Sequence, residues 1–392
     1  MGVESVGNRN RQLNIEKKPT KVGFIIFTQL EQGLGGHYRS LKTHYDSFKQ
    51  AGIISNDSFI INFGKAHSEV LKESENFNFI KTNITLTFIS KLFIILKEKK
   101  PDIIHCYDLT SLQVIKLINI KQKWKLLYTK CGGPNLEFYF DVPTILFSKE
   151  NYEDIIKKEK RKAPLYLIPN RIKDEVDTKN SPVKLDLSRN TLNILRINRI
   201  STKYLEVIRA SINLTNRLNS SGIKTKLYIV GSIETPETYE TIKNIKANTI
   251  LLTDKEYVTN ASQLINQFDI VIGTGRTAME SMQYGKPTLG FTKTQSIPII
   301  ITENNIETFL HYNFSERTII EEINETEELS NIIDLVKNLE TTNTRHFFDK
   351  YFNVKTKLQK YREIYDTIPY TVDRQKVSKG FLLLVKKLYR SI

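Results

Sequence analysis

The sequence predicts an α/β protein of two doubly wound, parallel-sheet domains in tandem, and three observations carry that reading. Short apolar, β-branched runs recur along the chain, segments of helix length separate them, and the pattern pauses once at a polar stretch before restarting. Apolar runs without strict alternation suit strands buried on both faces. Helix-length spacers suit the crossovers that parallel strands need.

In the first half the runs are VGFIIF (22–27), FIINF (59–63), DIIHC (102–106), KLLYT (125–129) and TILFS (144–148), with LYLIP (165–169) closing the series. The polar stretch 170–190 reads as a linker, and the DEVD inside it (174–177) as a solvated charge run rather than a metal site. The runs then resume as LNILRI (192–197), KLYIV (226–230), TILLT (249–253), DIVIG (269–273) and PTLGF (287–291). This divides the chain into a polar tail (1–20), two Rossmann-like domains (21–180 and 181–350) and C-terminal helices (351–392).

With 392 residues, 40% of them hydrophobic, there is enough apolar surface for a core in each domain. Cys106 and Cys131 are the only cysteines, which excludes a disulfide scaffold and fits a reducing compartment. No apolar run reaches the roughly 18–20 residues that cross a bilayer, and residues 1–20 lack a signal-peptide core, so the expected location is cytoplasmic. Lys and Arg number 58 against 43 Asp and Glu, a net charge of +15. That excess suits an anionic partner without choosing among nucleic acid, membrane surface and phosphorylated ligand. Nucleic acid fits least, because the basic residues sit in a tail and at strand ends with no aromatic stacking platform. In the tail 374–392, Val377, Phe381, Leu384, Val385, Leu388 and Ile392 fall on one helical side. Lys379, Lys386, Lys387 and Arg390 fall opposite. That pattern reads either as a helix lying on an anionic membrane or as a terminal helix packed on its own protein.

Ligands of open parallel sheets bind beyond the carboxyl ends of strands, which selects four loops. In TQLEQGLGGHYRS (28–40), glycines around Gly35, Gly36 and His37 open a helix whose amides can approach an anionic group. In GTGRTAMESMQYGKP (273–287), Gly273 and Gly275 again precede a helix, Arg276 can pair with a phosphate, and Glu280 can accept from a ribose diol. Thr277 and Glu280 equally match an S/T-x-x-E capping box, which needs no ligand. In RINRISTK (196–203), Arg199 and Lys203 suit a diphosphate leaving group, or only a wet basic turn. The fourth region joins His105 and Asp108 with Lys130 and Cys131 in TKCGGP (129–134), groups able to donate, accept or orient protons.

Taken in order, KVGFIIF with GGHYRSL, KPDIIHCYD (100–108), FSKEN (147–151), LIPNRI (167–172), NRISTK (198–203) and GTGRTAMESMQYGKPTLG (273–290) resemble the GT-B glycosyltransferases, particularly the family 4 type that builds bacterial capsules and lipopolysaccharides. The resemblance covers nearly the whole chain. It implies an acceptor domain, a nucleotide-sugar donor domain, and a last helix, KLQKYREIYD (357–366), that crosses back to the first. It places Glu280 on the nucleotide ribose and Arg199 and Lys203 on the donor diphosphate, with Lys203 one residue nearer to its arginine than in the family. Two positions differ: the family's first glutamate falls on Ile272, and its T-x-H-G histidine falls on Cys131. Lys130 or His105 is then the substitute for that imidazole. The implied activity is sugar transfer from a nucleotide-sugar to a hydroxyl of a glycan or lipid-linked glycan, with retention and with no metal or cofactor. A non-catalytic sugar-nucleotide-binding subunit and a nucleotide-sugar epimerase on the same fold are the alternatives.

Overall fold

The structure, a computed structural model, describes residues 18–29, 33–119, 124–134, 141–158, 161–174, 183–245, 248–259, 261–321 and 323–370. The amphipathic tail 374–392 lies outside them, as do 175–177 of the DEVD run, whose Asp174 accepts from Arg345 Nη2 at 2.5 Å.

The chain folds as two sheets in tandem. The first comprises β1 (Val22–Thr28), β2 (Phe59–Gly64), β3 (Phe77–Lys81), β4 (Ile103–Cys106), β5 (Lys125–Lys130), β6 (Thr144–Leu146) and β7 (Leu165–Leu167). They lie in the order β3-β2-β1-β4-β5-β6-β7, every pairing parallel. The second comprises β8 (Leu192–Ile197), β9 (Thr225–Val230), β10 (Thr249–Leu252), β11 (Ile270–Ile272), β12 (Thr288–Gly290) and β13 (Ile299–Ile300). Their order is β10-β9-β8-β11-β12-β13, parallel except for the antiparallel β12–β13 pair. In both sheets the order reverses beside the first strand, which is where doubly wound folds open a ligand crevice.

Strands β1, β2, β4 and β8 are buried along nearly their whole length, as runs without alternation require. Helices cover both faces of the first sheet. Leu41, Tyr45 and Phe48 of the helix Gly36–Gln50 pack with Phe24 and Ile26 on one face, and Phe88, Leu92 and Leu96 of the helix Leu86–Lys99 pack with Ile25 and Ile61 on the other.

The helix Leu358–Thr367 lies on the first domain, where Tyr361, Ile364 and Tyr365 join the core that contains Phe24 and Phe48. Two buried histidines fasten it. His44 Nε2 meets Tyr361 Oη at 3.2 Å and His44 Nδ1 meets Tyr107 Oη at 2.5 Å, while His105 meets Tyr365 Oη at 3.0 Å and Thr129 Oγ1 at 2.7 Å. Desolvation, with Arg276 and Arg171 nearby, pulls the His44 pKa down to about 3. Desolvation and then His44 push His105 well below its ordinary value. Both imidazoles are neutral in the fold, whereas an unfolded imidazole takes a proton below about pH 6.5. The unfolded chain therefore binds the extra protons as pH falls. Stability is expected to be complete above about pH 6.5 and to fall on acidification by about 1.4 kcal/mol per pH unit for each histidine. Urea midpoints at pH 7 and pH 5 measure this, and equal midpoints would remove the role given to the pair.

Among the described residues no helix is long and apolar enough to cross a membrane.

Candidate functional site

The loops leaving β1 and β8, first strands of their sheets, face each other across the two domains. Gly35 caps the helix Gly36–Gln50 with extended backbone; the Tyr38 amide donates to Gly35 O at 3.1 Å, and the Gly36 and His37 amides have no acceptor among the described residues. Gly33 takes φ +52°, and a Cβ there would sit 2.7 Å from the Ser68 Cα, so glycine is required for this close approach. His37 lies at the start of the helix with its ring 3.9 Å from that of Tyr38. Desolvation first, then the charge of Arg199 in the second domain, lowers its pKa to about 4, leaving a neutral ring opposite that guanidinium.

Beyond β8, Arg199 is half-exposed. Its Nη1 donates to Glu234 Oε1 and its Nη2 to Tyr204 Oη, both at 2.9 Å. Lys203 is exposed, with Nζ 5.2 Å from the Tyr204 ring centroid, and the Arg199 guanidinium lies 5.3 Å from the same ring. The two cations expected to meet a diphosphate thus stand together on one aromatic support, open to solvent.

Around the helix Arg276–Gln283 the structure revises several expectations. Gly273 admits no side chain, since a Cβ would lie 2.6 Å from the Ala278 amide. Gly275, at φ +52°, donates its amide to Phe314 O at 2.8 Å, and the Thr277 amide goes to Thr274 O at 3.2 Å. Those two amides are therefore occupied and do not form an anion cradle. The N-cap is Gly275, not Thr277, so the capping box is not formed. Arg276, expected on a phosphate, has each of its three nitrogens engaged elsewhere. Its Nε donates to Glu280 Oε1 at 2.6 Å, Nη1 to Arg171 O at 3.2 Å and Nη2 to Thr43 Oγ1 at 3.1 Å. It ties the second domain to the helix Gly36–Gln50. Glu280 is 8% exposed and spends one oxygen on Arg276, leaving Oε2 without a partner among the described residues. Arg39, whose Nη2 donates to Thr259 O at 2.8 Å, adds a further positive charge facing Glu280.

The proton-transfer group changes most. His105 has no exposed surface and both ring nitrogens are taken, so it holds the last helix instead of facing a substrate. Asp108 caps the helix Leu109–Ile118, accepting from Ser111 N at 2.8 Å and from Phe27 N at 2.7 Å. Lys130 turns back on its own loop, donating to Gly132 O at 2.8 Å and Gly133 O at 2.9 Å. Desolvation, aided by Arg317, lowers its pKa to about 8. Desolvation and then Asp108 raise the Cys131 thiol far above its ordinary range, so a thiolate is disfavoured. Ile272, in the place of the family's first glutamate, is buried within β11. Beside this loop the domains are clasped again: Arg317 Nε and Nη2 donate to the two oxygens of Glu150 at 3.1 and 2.9 Å.

Sequence reading missed Arg39, Arg171 and Arg317 because each acts on a residue more than 160 positions away. Arg171 does lie in the LIPNRI motif (167–172), which was the available signal.

No protein-family model matches the chain, and no curated protein does either. Solved structures do. HepE of Anabaena, in complex with UDP and glucose, aligns with a TM-score of 0.62 at 15% identity over 88% of this chain and 99% of that one. A glycosyltransferase from Rickettsia africae aligns with a TM-score of 0.62 at 15% identity, covering 90% and 99%. The pneumococcal O-GlcNAc transferase GtfA, in complex with UDP and GlcNAc, gives 0.60 at 11% identity, covering 89% and 99%. The architecture is the GT-B fold, two parallel-sheet α/β domains, as the sequence predicts.

Proposed function

We propose that the protein is a glycosyltransferase that moves a sugar from a nucleotide-sugar donor to a hydroxyl of a glycan or lipid-linked glycan in bacterial surface polysaccharide synthesis. The observation that carries this reading is the pairing across the domains of Arg199, Lys203 and Tyr204 beyond β8 with His37 and the open amides of the helix Gly36–Gln50. Cations and helix-terminal amides together stabilise a departing nucleoside diphosphate without a metal. The unpartnered oxygen of Glu280 supplies an acceptor for the ribose diol. The acceptor sugar would enter from the first domain, and the segment 374–392 would rest the enzyme on an anionic bilayer. With His105 and Asp108 structural, the neutral His37 ring and Lys130, whose pKa burial lowers to about 8, are the candidate bases among the described residues. Front-side, retaining transfer, in which the leaving phosphate takes the proton, follows from the resemblance to the family 4 enzymes.

Glu280→Ala is expected to weaken UDP binding about tenfold by calorimetry, the loss of a hydrogen bond to a charged group. Unchanged affinity would take Glu280 out of the donor site. The UDP bound in HepE and in GtfA makes UDP-sugars the first donors to try. Incubation with donor alone and with donor plus a glycan acceptor extract tests the activity itself. An epimerised sugar without acceptor would replace transfer by epimerisation, and binding without turnover would leave a sugar-nucleotide-binding subunit. The buried Ile272 and the un-ionised Cys131 thiol are the observations favouring that second reading.

A further inference from the structure

β8 carries one arginine among apolar neighbours. Arg196 stands between Leu195 and Ile197, on the sheet face of Ile194, and has no exposed surface. Its Nε, Nη1 and Nη2 are all buried without a hydrogen-bond partner among the described residues. The guanidinium lies 4.5 Å from the centroid of the Phe291 ring, which contributes a cation–π contact and no acceptor. Thr292, the next residue, also buries an unpartnered oxygen, Oγ1. Glu316 and Tyr204 act on Arg196 electrostatically without bonding to it, and desolvation lowers its pKa only to about 9, so it stays charged at neutral pH.

A buried cation with unused donors costs folding free energy, and an apolar residue of similar volume would fit this core face more stably. Something other than packing must use it. Of the three cations of this strand end, Arg199 and Lys203 lie 5.3 and 5.2 Å from the Tyr204 ring centroid, and Arg196 feels the same residue electrostatically. Arg199 already donates to Glu234 and Tyr204, and Lys203 is exposed. Arg196 alone combines a complete donor fork with shelter from water, the condition in which a guanidinium holds an oxyanion most strongly.

We propose that Arg196 is an anion-binding residue of the donor site, taking an oxyanion of the nucleotide-sugar, either a diphosphate oxygen or a carboxylate on the sugar. The proposal rests on the donor reading given above and adds to it the group that selects charge. Calorimetry with UDP, UDP-glucose, UDP-glucuronic acid, uridine and pyrophosphate, on the full chain and on Arg196→Met and Arg196→Lys, tests it alongside thermal unfolding. Arg196→Met is expected to keep or raise Tm while binding UDP about 10–100-fold more weakly and uridine unchanged. Arg196→Lys, which keeps charge but not the fork, is expected to fall between. A loss confined to UDP-glucuronic acid assigns the sugar carboxylate as the oxyanion. Unchanged affinities for all five probes in Arg196→Met would overturn the proposal, and a lowered Tm with them would make the arginine a packing residue. Should the unmodified protein bind pyrophosphate but no nucleotide, and Arg196→Met lose the pyrophosphate, the anion site would stand and the nucleotide-sugar reading would fall. Binding of none of the probes would remove both.

Discussion

Tyr365→Ala is expected to lower the free energy of unfolding by about 3–5 kcal/mol, the range for deleting a buried aromatic side chain. Tyr365 is 2% exposed in the core shared by the last helix and the first domain, edge-on to Phe48 and to His105. Its hydroxyl is also one of two partners of a fully buried imidazole, which the substitution leaves half-satisfied. Tyr365→Phe separates the contributions: it keeps the ring and removes the hydroxyl, for an expected loss of about 1–2 kcal/mol. Urea denaturation of both variants decides the matter, and a loss under 1 kcal/mol for the alanine variant would mean that the last helix is not held by this side chain.

The second large effect belongs to Arg276. Arg276→Ala removes three hydrogen bonds and leaves Glu280, 8% exposed, without its hydrogen-bonded partner and with only the charge of Arg39 facing it, so a loss of about 3 kcal/mol is expected. Arg276→Lys keeps the charge but cannot reach Glu280, Arg171 and Thr43 together, because an ammonium lacks the planar fork. It is expected to retain part of the stability and to widen the angle between domains, seen as a larger radius of gyration in small-angle scattering. A lysine variant identical to the unmodified protein in both measurements would show that the bridge to Thr43 holds nothing.

The fold was legible because its evidence is local. Runs such as VGFIIF and LNILRI are buried in their strands as their composition requires. β3 escaped because FNFIK is a half-buried edge strand with a polar residue inside it, and β13 because two residues make no pattern. The site was legible only in part. Glycines and cations at strand ends marked loops that face each other across the domains, and the structure sets Arg199 opposite His37 and Lys203 beside Arg199 at the Tyr204 ring. What each group does with its hydrogen bonds depends on residues far along the chain. Arg276 reads as a free cation until Thr43 is placed opposite it, and His105 reads as a proton carrier until Tyr365 arrives from the C-terminal helix. The capping box failed for a conformational reason: the turn into the helix needs positive φ, which Gly275 supplies, and that put the cap two residues before Thr277.

Two of the clasps between domains, those of Arg317 and Arg276, differ in kind. Arg317 and Glu150 form an ion pair with about a quarter of each side chain in water, whereas Arg276 reaches the first domain through a hydroxyl and a carbonyl. Dissolved electrolyte weakens the former and hardly touches the latter. Raised ionic strength is therefore expected to loosen the contact at the Glu150 edge before the one at Arg276.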